Sequence, residues 1–558
     1  MTLGPSSASL PSNLMSAGEA IVRSLIANGV ETVFGLPGAQ TYPLFDAFDR
    51  LKGNIRTFGV RHEQAAAYMA LGYAKSTGRP GVYTVVPGPG VLNTGAALVT
   101  AWATNAPVLC ITGQIPSAAI GKRRGALHEI PDQLTTLRGL TKWAARIERP
   151  EDVPDVMAEA FRVMLSGRPG PVAVEMSWDR LAESGVVEIG SRAVADAPPI
   201  PDMPSVTRAA GLLAIAARPL ILLGGGAQHA SAEVLALVEW LGAPVGAFRS
   251  GRGIVPEDHP LSVSSYAASL LWKDTDVVLG IGTRLEMPYM RWLDPGAVVT
   301  VPPQNPRLIR IDIDPEEMKR LVPHVGIVAD AADGTRALHE ALAAFPPPRP
   351  LRDRIDRAKA EAARRVEVVK PHVEYLRAIR DVLPRDGFFV EELCQAGFTS
   401  YFAFPVFEPR TYVTPGFQGT LGFGFSTALG VKAAHPDRAV VSINGDGGFM
   451  FGVQDLASAV GQGLGVIAVV FNNSGFGNVS RDLRRLYKGS ALGAEFRNPD
   501  FQKLADAFGA DFYRVASPTE LRPALARAIE KNVPTIIEIL IDPDEEVSPW
   551  PFIHTGQD

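Results

Sequence analysis

The sequence predicts an α/β protein made of three doubly wound parallel-sheet domains, and three observations predict it. Short apolar, β-branched runs recur along the chain, and each stops at a glycine-rich turn. Segments with helical spacing stand between these runs, the alternation that yields parallel strands covered by helices. At 558 residues the chain is too long for one hydrophobic core, and two proline-rich stretches divide it.

Residues 440–480 carry the clearest unit. Val440, Val441 and Ile443 lead into Asn444-Gly445-Asp446-Gly447-Gly448, and the run from Val466 to Phe471 leads into Asn472-Asn473-Ser474-Gly475. Gln454 to Val460 has helical spacing between them. Parallel units of this kind gather ligands at the carboxyl ends of their strands. One strand end offers a carboxylate, Asp446, and the other a carboxamide, Asn473, with glycines that let backbone approach a ligand. A hard cation bridging a diphosphate takes such a set of oxygens. Gly-Asp-Gly alone would fit an ordinary turn equally well. The Asn-Asn pair at the next strand end tips the balance.

The earlier parts of the chain follow the same pattern. In residues 15–185, apolar runs at Val30 to Phe34, Asn54 to Val60, Val82 to Val86 and Val108 to Thr112 each end at a turn. Arg61-His62-Glu63-Gln64 opens an alanine-rich helix, where a first-turn carboxylate such as Glu63 interacts favourably with the helix dipole. Residues 186–203 read as a linker. A second α/β domain spans about 204–345, with Gly224-Gly225-Gly226 after its first strand. Three consecutive glycines lack the Gly-x-Gly-x-x-Gly spacing of a dinucleotide turn. Residues 346–350 and the charged run Arg352 to Lys370, which shows no apolar stripe, read as a second linker with a solvated helix. A last domain spans about 371–545, and a tail, 546–558, holds Trp550, Phe552 and two prolines. That apolar tail is expected to dock beside the site rather than hang free.

Composition excludes several classes. A net charge of −5 offers no nucleic-acid footprint. No stretch approaches the ~18–20 apolar residues of a membrane span, and residues 1–13 do not read as a signal peptide. Cys110 and Cys394 are too few for a disulfide framework or a metal-ligand spacing. The expected location is cytoplasmic.

Gly-Asp-Gly followed by Asn-Asn resembles the thiamin diphosphate (ThDP) signature, and the resemblance to acetolactate synthase and its relatives covers about 15–545. It implies pyrimidine-binding, central and diphosphate-binding domains in that order. It implies an enzyme with ThDP and Mg2+, the metal held by Asp446, Asn473 and the Gly475 carbonyl. Gly445, Gly447, Gly448 and Phe476 fall beside the diphosphate. Arg61-His62-Glu63-Gln64-Ala65-Ala66 matches the segment whose glutamate bonds the aminopyrimidine and favours the tautomer that activates the thiazolium. In Gly419-Thr420-Leu421, the Gly419 carbonyl would accept from the 4-amino group and Leu421 would wedge the cofactor into a bent form. Glu63 and Asp446 meet across a subunit interface in this family, which implies a homodimer or homotetramer. Some relatives carry FAD in the central domain. Arg284 falls near a flavin contact there, but Leu285-Glu286-Met287 departs from the Phe-Asp-Asp of flavin-bearing members, so FAD stays open.

The resemblance says less about the substrate, expected to be a 2-oxo acid or related ketone. Gln114 falls where acetolactate synthases place a glutamine near the reacting centre, and His128 is a candidate proton donor. Asn478-Val479 differs from the segment of those enzymes and lacks the second glutamate of pyruvate decarboxylases. It looks more like the branch that includes cyclohexane-1,2-dione hydrolase. Carboligation, decarboxylation and diketone cleavage all stay in play, beside a non-catalytic regulatory relative.

Overall fold

The computed structural model describes residues 13–293, 298–349, 351–487 and 489–557. Three six-stranded sheets carry the fold. The first contains β1 (Thr32–Gly35), β2 (Arg56–Gly59), β3 (Gly81–Val85), β4 (Val108–Gln114), β5 (Trp143–Ile147) and β6 (Val172–Ser177). The second contains β7 (Pro219–Leu223), β8 (Val245–Ala247), β9 (Ser262–Val263), β10 (Val277–Ile281), β11 (Arg307–Asp312) and β12 (Val325–Val328). The third contains β13 (Phe388–Val390), β14 (Tyr412–Val413), β15 (Val440–Gly445), β16 (Val466–Asn472), β17 (Asp511–Val515) and β18 (Thr535–Leu540).

Every pairing within these sheets is parallel. A parallel sheet has both faces covered by its crossover helices, so its inner strands must be apolar throughout. β3, β4, β6 and β16 are accordingly buried along their whole length. The first sheet runs β2-β1-β3-β4-β6-β5 and the third runs β14-β13-β15-β16-β18-β17, the same order of strands. The second runs β9-β8-β7-β10-β11-β12, reversing direction beside its first strand as doubly wound nucleotide folds do.

Five helices position the candidate residues: α1 (Glu63–Thr77), α2 (Pro89–Asn93), α3 (Phe423–Ala434), α4 (Asp446–Phe449) and α5 (Gly477–Tyr487). α1 and α2 follow β2 and β3, and α4 and α5 follow β15 and β16, so all four open at carboxyl ends of parallel strands.

The charged run after the second linker departs from expectation. It forms the helix Arg352–Val366 and does bury a stripe, Ile355, Ala358, Ala362 and Val366. The stripe packs against the helix Ser265–Trp272. Two of its four members are alanines, which bury fully while adding little hydrophobic signal among so many charges.

Among the described residues, 13–196 except Lys75–Thr77 form one compact unit with the first sheet; Lys75–Thr77 and those from Ala197 form another with the second and third. Within the latter, one apolar core joins Leu220, Val278 and Leu308 to Phe389, Val441 and Ile467. The tail docks on this core. Phe552 lies edge-on to Tyr266 and against Phe402, and Ile553 is buried. Among the described residues no helix is long and apolar enough to cross a membrane.

Gly81 sets how closely β3 lies under α1, the helix that carries Glu63. A Cβ there would overlap the Ala70 carbonyl. Gly81→Ala should therefore destabilise the protein by roughly 1–3 kcal/mol, the range for overpacking a tight contact. Urea unfolding of the two proteins checks this.

Candidate active site

β15 and β16 are paired in register from Val440 opposite Val466 to Gly445 opposite Phe471. Asp446 and Asn472-Asn473 therefore leave the sheet side by side. Asp446 is only 1% exposed. Its Oδ2 accepts from the Asn498 amide at 2.6 Å and from the Gly475 N–H at 3.2 Å. These donors are neutral, and burial raises the carboxyl above its ordinary value, with Asn498 and backbone N–H groups pulling the other way. A buried carboxylate without a cationic partner is costly, and a bound cation removes that cost.

Asn473 completes the pair. Its Nδ2 donates to Glu546 at 2.9 Å, which leaves Oδ1 as the acceptor of the amide. Among the described residues, no cluster of three or more His, Cys, Asp or Glu could hold a metal. A cation at Asp446 would need oxygens from Asn473, from backbone and from its own ligand. That set of hard oxygens fits Mg2+ bridging a diphosphate.

The glycines here have a second use. A Cβ on Gly447 would strike the Phe476 ring, and one on Gly448 would strike Glu392. They bring protein groups together as well as baring backbone. Phe476 lies edge-on to Phe496, with centroids 5.0 Å apart.

Glu392 gave no signal of its role in the sequence. It stands just past β13, fully buried beside Glu391. Its carboxyl accepts from Gly422 N at 2.5 Å and Gly424 N at 3.2 Å. It thus pins the loop of Gly419 and Leu421 to the start of α3. Gly419 and Gly422 both have positive φ, a backbone form that glycine adopts freely. Two acids directly after an apolar strand were the clue available.

In the other unit, Glu63 is the first residue of α1, capped by His62, whose Nδ1 accepts from Gln64 N at 3.2 Å. Glu63 Oε2 accepts from Asn93 Nδ2 at 3.0 Å, at the end of α2. His128 has φ of 68° and bonds Gln40 Oε1 through Nδ1 at 3.0 Å. Its carbonyl lies so close to Gly88 that a Cβ there would overlap it. The Gly88–Asn93 turn thus touches Glu63 at one end and His128 at the other. Gln114, at the end of β4, has both ends of its amide engaged. Nε2 donates to buried Glu175 at 3.2 Å, and Oε1 accepts from Ile115 N at 2.8 Å. Gln133 joins the same carboxylate at 2.8 Å, and Arg146 neutralises it at 2.6 Å. Gln114 is thus part of a buried network of its own unit.

Asn478, on α5, uses its Oδ1 twice, accepting from Arg481 and from the Trp550 indole N–H, each at 2.6 Å. The tail therefore reaches the segment beyond β16 at two points, through Glu546 to the loop at Asn473 and through Trp550 to α5. In the second sheet, Cβ atoms on Gly224 and Gly226 would meet backbone at Gly282. Loop packing accounts for the glycine triplet. Glu286, where the flavin-bearing pattern has aspartate, is held by Arg249 and Arg291.

Three stretches match thiamine pyrophosphate enzyme domains: residues 15–136 the N-terminal TPP binding domain, 206–338 the central domain, and 394–539 the C-terminal TPP binding domain. The chain belongs to the thiamine pyrophosphate (ThDP) enzymes. It is 34% identical to a protein of Pseudomonas aeruginosa named as a probable 2-ketoarginine decarboxylase, over 95% of this chain and 94% of that one. It is 33% identical to a probable acetolactate synthase large subunit of Methanocaldococcus jannaschii, over 97% and 94%. It is 30% identical to the acetolactate synthase isozyme 3 large subunit of Escherichia coli, over 98% of each.

Burial pushes the Glu391 carboxyl from its ordinary 4.5 up to about 7, despite the Tyr401 hydroxyl that donates to it at 2.9 Å. Between those values the folded protein keeps a proton that the unfolded chain has released. Stability contributed here is present below about pH 4.5 and falls as pH rises towards about 7. Glu391→Gln should remove up to about 1.4 kcal/mol per pH unit from the slope of unfolding free energy across that window. Urea unfolding in a series of buffers reads it, and an unchanged slope would contradict the buried neutral acid.

Proposed function

We propose that this chain is a ThDP- and Mg2+-dependent enzyme that makes or breaks carbon–carbon bonds beside a carbonyl, on 2-oxo acids or related ketones, in the manner of acetolactate synthase. The observation that carries this reading is the buried Asp446 carboxylate, bonded among the described residues to neutral donors and followed at the next strand end by an Asn473 amide whose nitrogen is taken by Glu546. Asp446, Asn473 and the Gly475 carbonyl would hold Mg2+. Bound ThDP supplies a nucleophilic carbon and an electron sink. Glu63 would share a proton with the aminopyrimidine, and the loop pinned by Glu392 would present Gly419 and Leu421 to it. A homodimer or larger assembly and a cytoplasmic location belong to the same proposal. The two free cysteines fit a reducing compartment.

On the substrate side, Gln114 acts through the Glu175 network, which leaves His128 and the Asn478 amide nitrogen as groups able to meet substrate. No acid stands at Val479 to protonate a product carbon quickly, which favours attack on a second carbonyl. The second reading is 2-oxo acid decarboxylation, with His128 as proton donor. It is supported by the likeness to the protein named as a 2-ketoarginine decarboxylase.

Asp446→Ala should abolish Mg2+-dependent ThDP binding in calorimetry, whereas Glu63→Gln should keep it. Glu63→Gln should instead slow hydrogen–deuterium exchange at the thiazolium carbon by roughly two to four powers of ten, as for a positioned acid–base group. Unchanged ThDP affinity in Asp446→Ala would remove the metal reading. Pyruvate, if turned over, should give an acetolactate- or acyloin-type product by NMR. Acetaldehyde as the main product would favour the decarboxylase instead.

A further inference from the structure

An asparagine can serve a metal only through its oxygen, yet its side-chain oxygen and nitrogen have nearly the same shape. Something must decide which one faces the metal. Beside Asn473 stands Glu546, from the tail, with its Oε2 2.9 Å from Asn473 Nδ2. An ionised carboxylate is acceptor-only, so it admits the Nδ2 side of the amide and repels Oδ1. We propose that Glu546 is a positioning residue, which fixes the amide of Asn473 with its oxygen turned towards the metal. This rests on the reading of Asp446, Asn473 and Gly475 as the metal set.

Three features show a built arrangement rather than a chance surface bond. Glu546 is itself held from the other side, its Oε1 2.9 Å from Nε2 of His372. The Glu546 side chain is 6% exposed and that of His372 is 0% exposed. An acceptor-only partner requires the proton on Nε2, so the imidazole donates to the carboxylate. The ring also lies at 62° to Phe471, in β16, 5.6 Å between centroids. The support thus runs from the strand to His372, to Glu546, and back to Asn473 just past the end of that strand. Next, the space is shaped for this contact. A Cβ on Gly477 would overlap Asn473 Nδ2 and come within 3.2 Å of Glu546 Oε2. Finally, the tail has its own anchors in the residues that follow Glu546. The Val547 N–H donates to the Lys370 carbonyl at 3.1 Å, and Phe552 and Ile553 are seated in the apolar core.

The chemistry separates this role from plain structural support. Glu546→Gln keeps the size and one acceptor oxygen but adds an NH2 that can face Asn473 Oδ1 equally well, so the orientation is no longer dictated. Asn473→Asp in the same background offers oxygen on both faces, and the glutamine NH2 can donate to either. Orientation then ceases to matter.

The test uses the full-length protein, stripped of metal, with saturating ThDP and Mn2+ followed by electron paramagnetic resonance. Glu546→Gln should weaken Mn2+ binding about tenfold or more, the range for losing a partner that orients a metal ligand. Its metal-free Tm and near-ultraviolet circular dichroism should match wild type. In the Asn473→Asp background, Glu546→Gln should change Mn2+ affinity by less than about threefold, so that the double variant restores what the single variant loses relative to its own background, which support of the fold would not produce. Wild-type Mn2+ affinity in Glu546→Gln overturns the proposal, as does a loss that the double variant fails to restore. Asp446→Ala serves as the reference. If it too binds Mn2+ as wild type does, the metal set is wrong and Glu546 falls with it.

Discussion

The arrangement depends on one unneutralised charge. Asp446 stands where two parallel strands end together, and a carboxylate withdrawn from water there costs several kcal/mol. The protein answers with two neutral hydrogen bonds, from Asn498 and Gly475. A lysine or arginine in their place would have stabilised the empty protein and closed the site to a cation. Keeping the partners neutral leaves the charge to be satisfied by a ligand. Two more acids are buried nearby, Glu391 and Glu392, raised to about 7 and about 8, chiefly by burial. Glu392 meets only backbone N–H groups of the Gly422–Gly424 loop. Asp446 and Glu392 act as acceptors for backbone and amide groups, and that organises the loops around them.

The strand pairing makes such a site cheap to build. The first and third sheets share one strand order, and each puts helix starts above the carboxyl ends of its strands. In the first sheet Glu63 opens α1 after the edge strand β2, and in the third Asp446 opens α4 after the inner strand β15, at different positions of that shared order. The second sheet uses another order, and its glycine triplet packs one strand-end loop on another. Its Arg249 reaches the third sheet's half of the same unit, bonding Tyr401 and the Gly416 carbonyl. The central sheet thereby braces the layer that carries Asp446.

Much of this was legible in the residues, for a physical reason. Strands buried on both faces must be apolar, so β15 and β16 stand out, and polar residues at their ends are marked by contrast. Asp446, Asn473 and Glu63 were therefore visible one by one. Asn498, Glu392 and Glu546 were not, because their meaning lies in contacts across the chain rather than in local pattern. Glu546 sits in an acidic stretch, Asp544-Glu545-Glu546, that looks like any solvated turn. For Gln114 the resemblance pointed to the reacting centre, while its bond to Glu175, from the neighbouring strand β6, is a contact that no local pattern marks. The helix Arg352–Val366 hid its buried stripe behind alanines.

The tail shows how composition and position combine. Its apolar residues identify a segment that must dock, and docking brings two polar groups, Glu546 and the Trp550 N–H, onto the segment beyond β16. Each takes one side of an asparagine amide, nitrogen at Asn473 and oxygen at Asn478. The two amides are thereby set in opposite senses, Asn473 leaving an acceptor and Asn478 leaving a donor. An acceptor suits a cation and a donor suits a carbonyl or carboxylate oxygen. Phe552, Ile553 and Trp550 seat the tail on the apolar core, and with His372 beside Glu546 they support both settings. The aromatic anchor thus acts on Asn478 through Trp550, while Asn473 is held through Glu546 and its own support from His372.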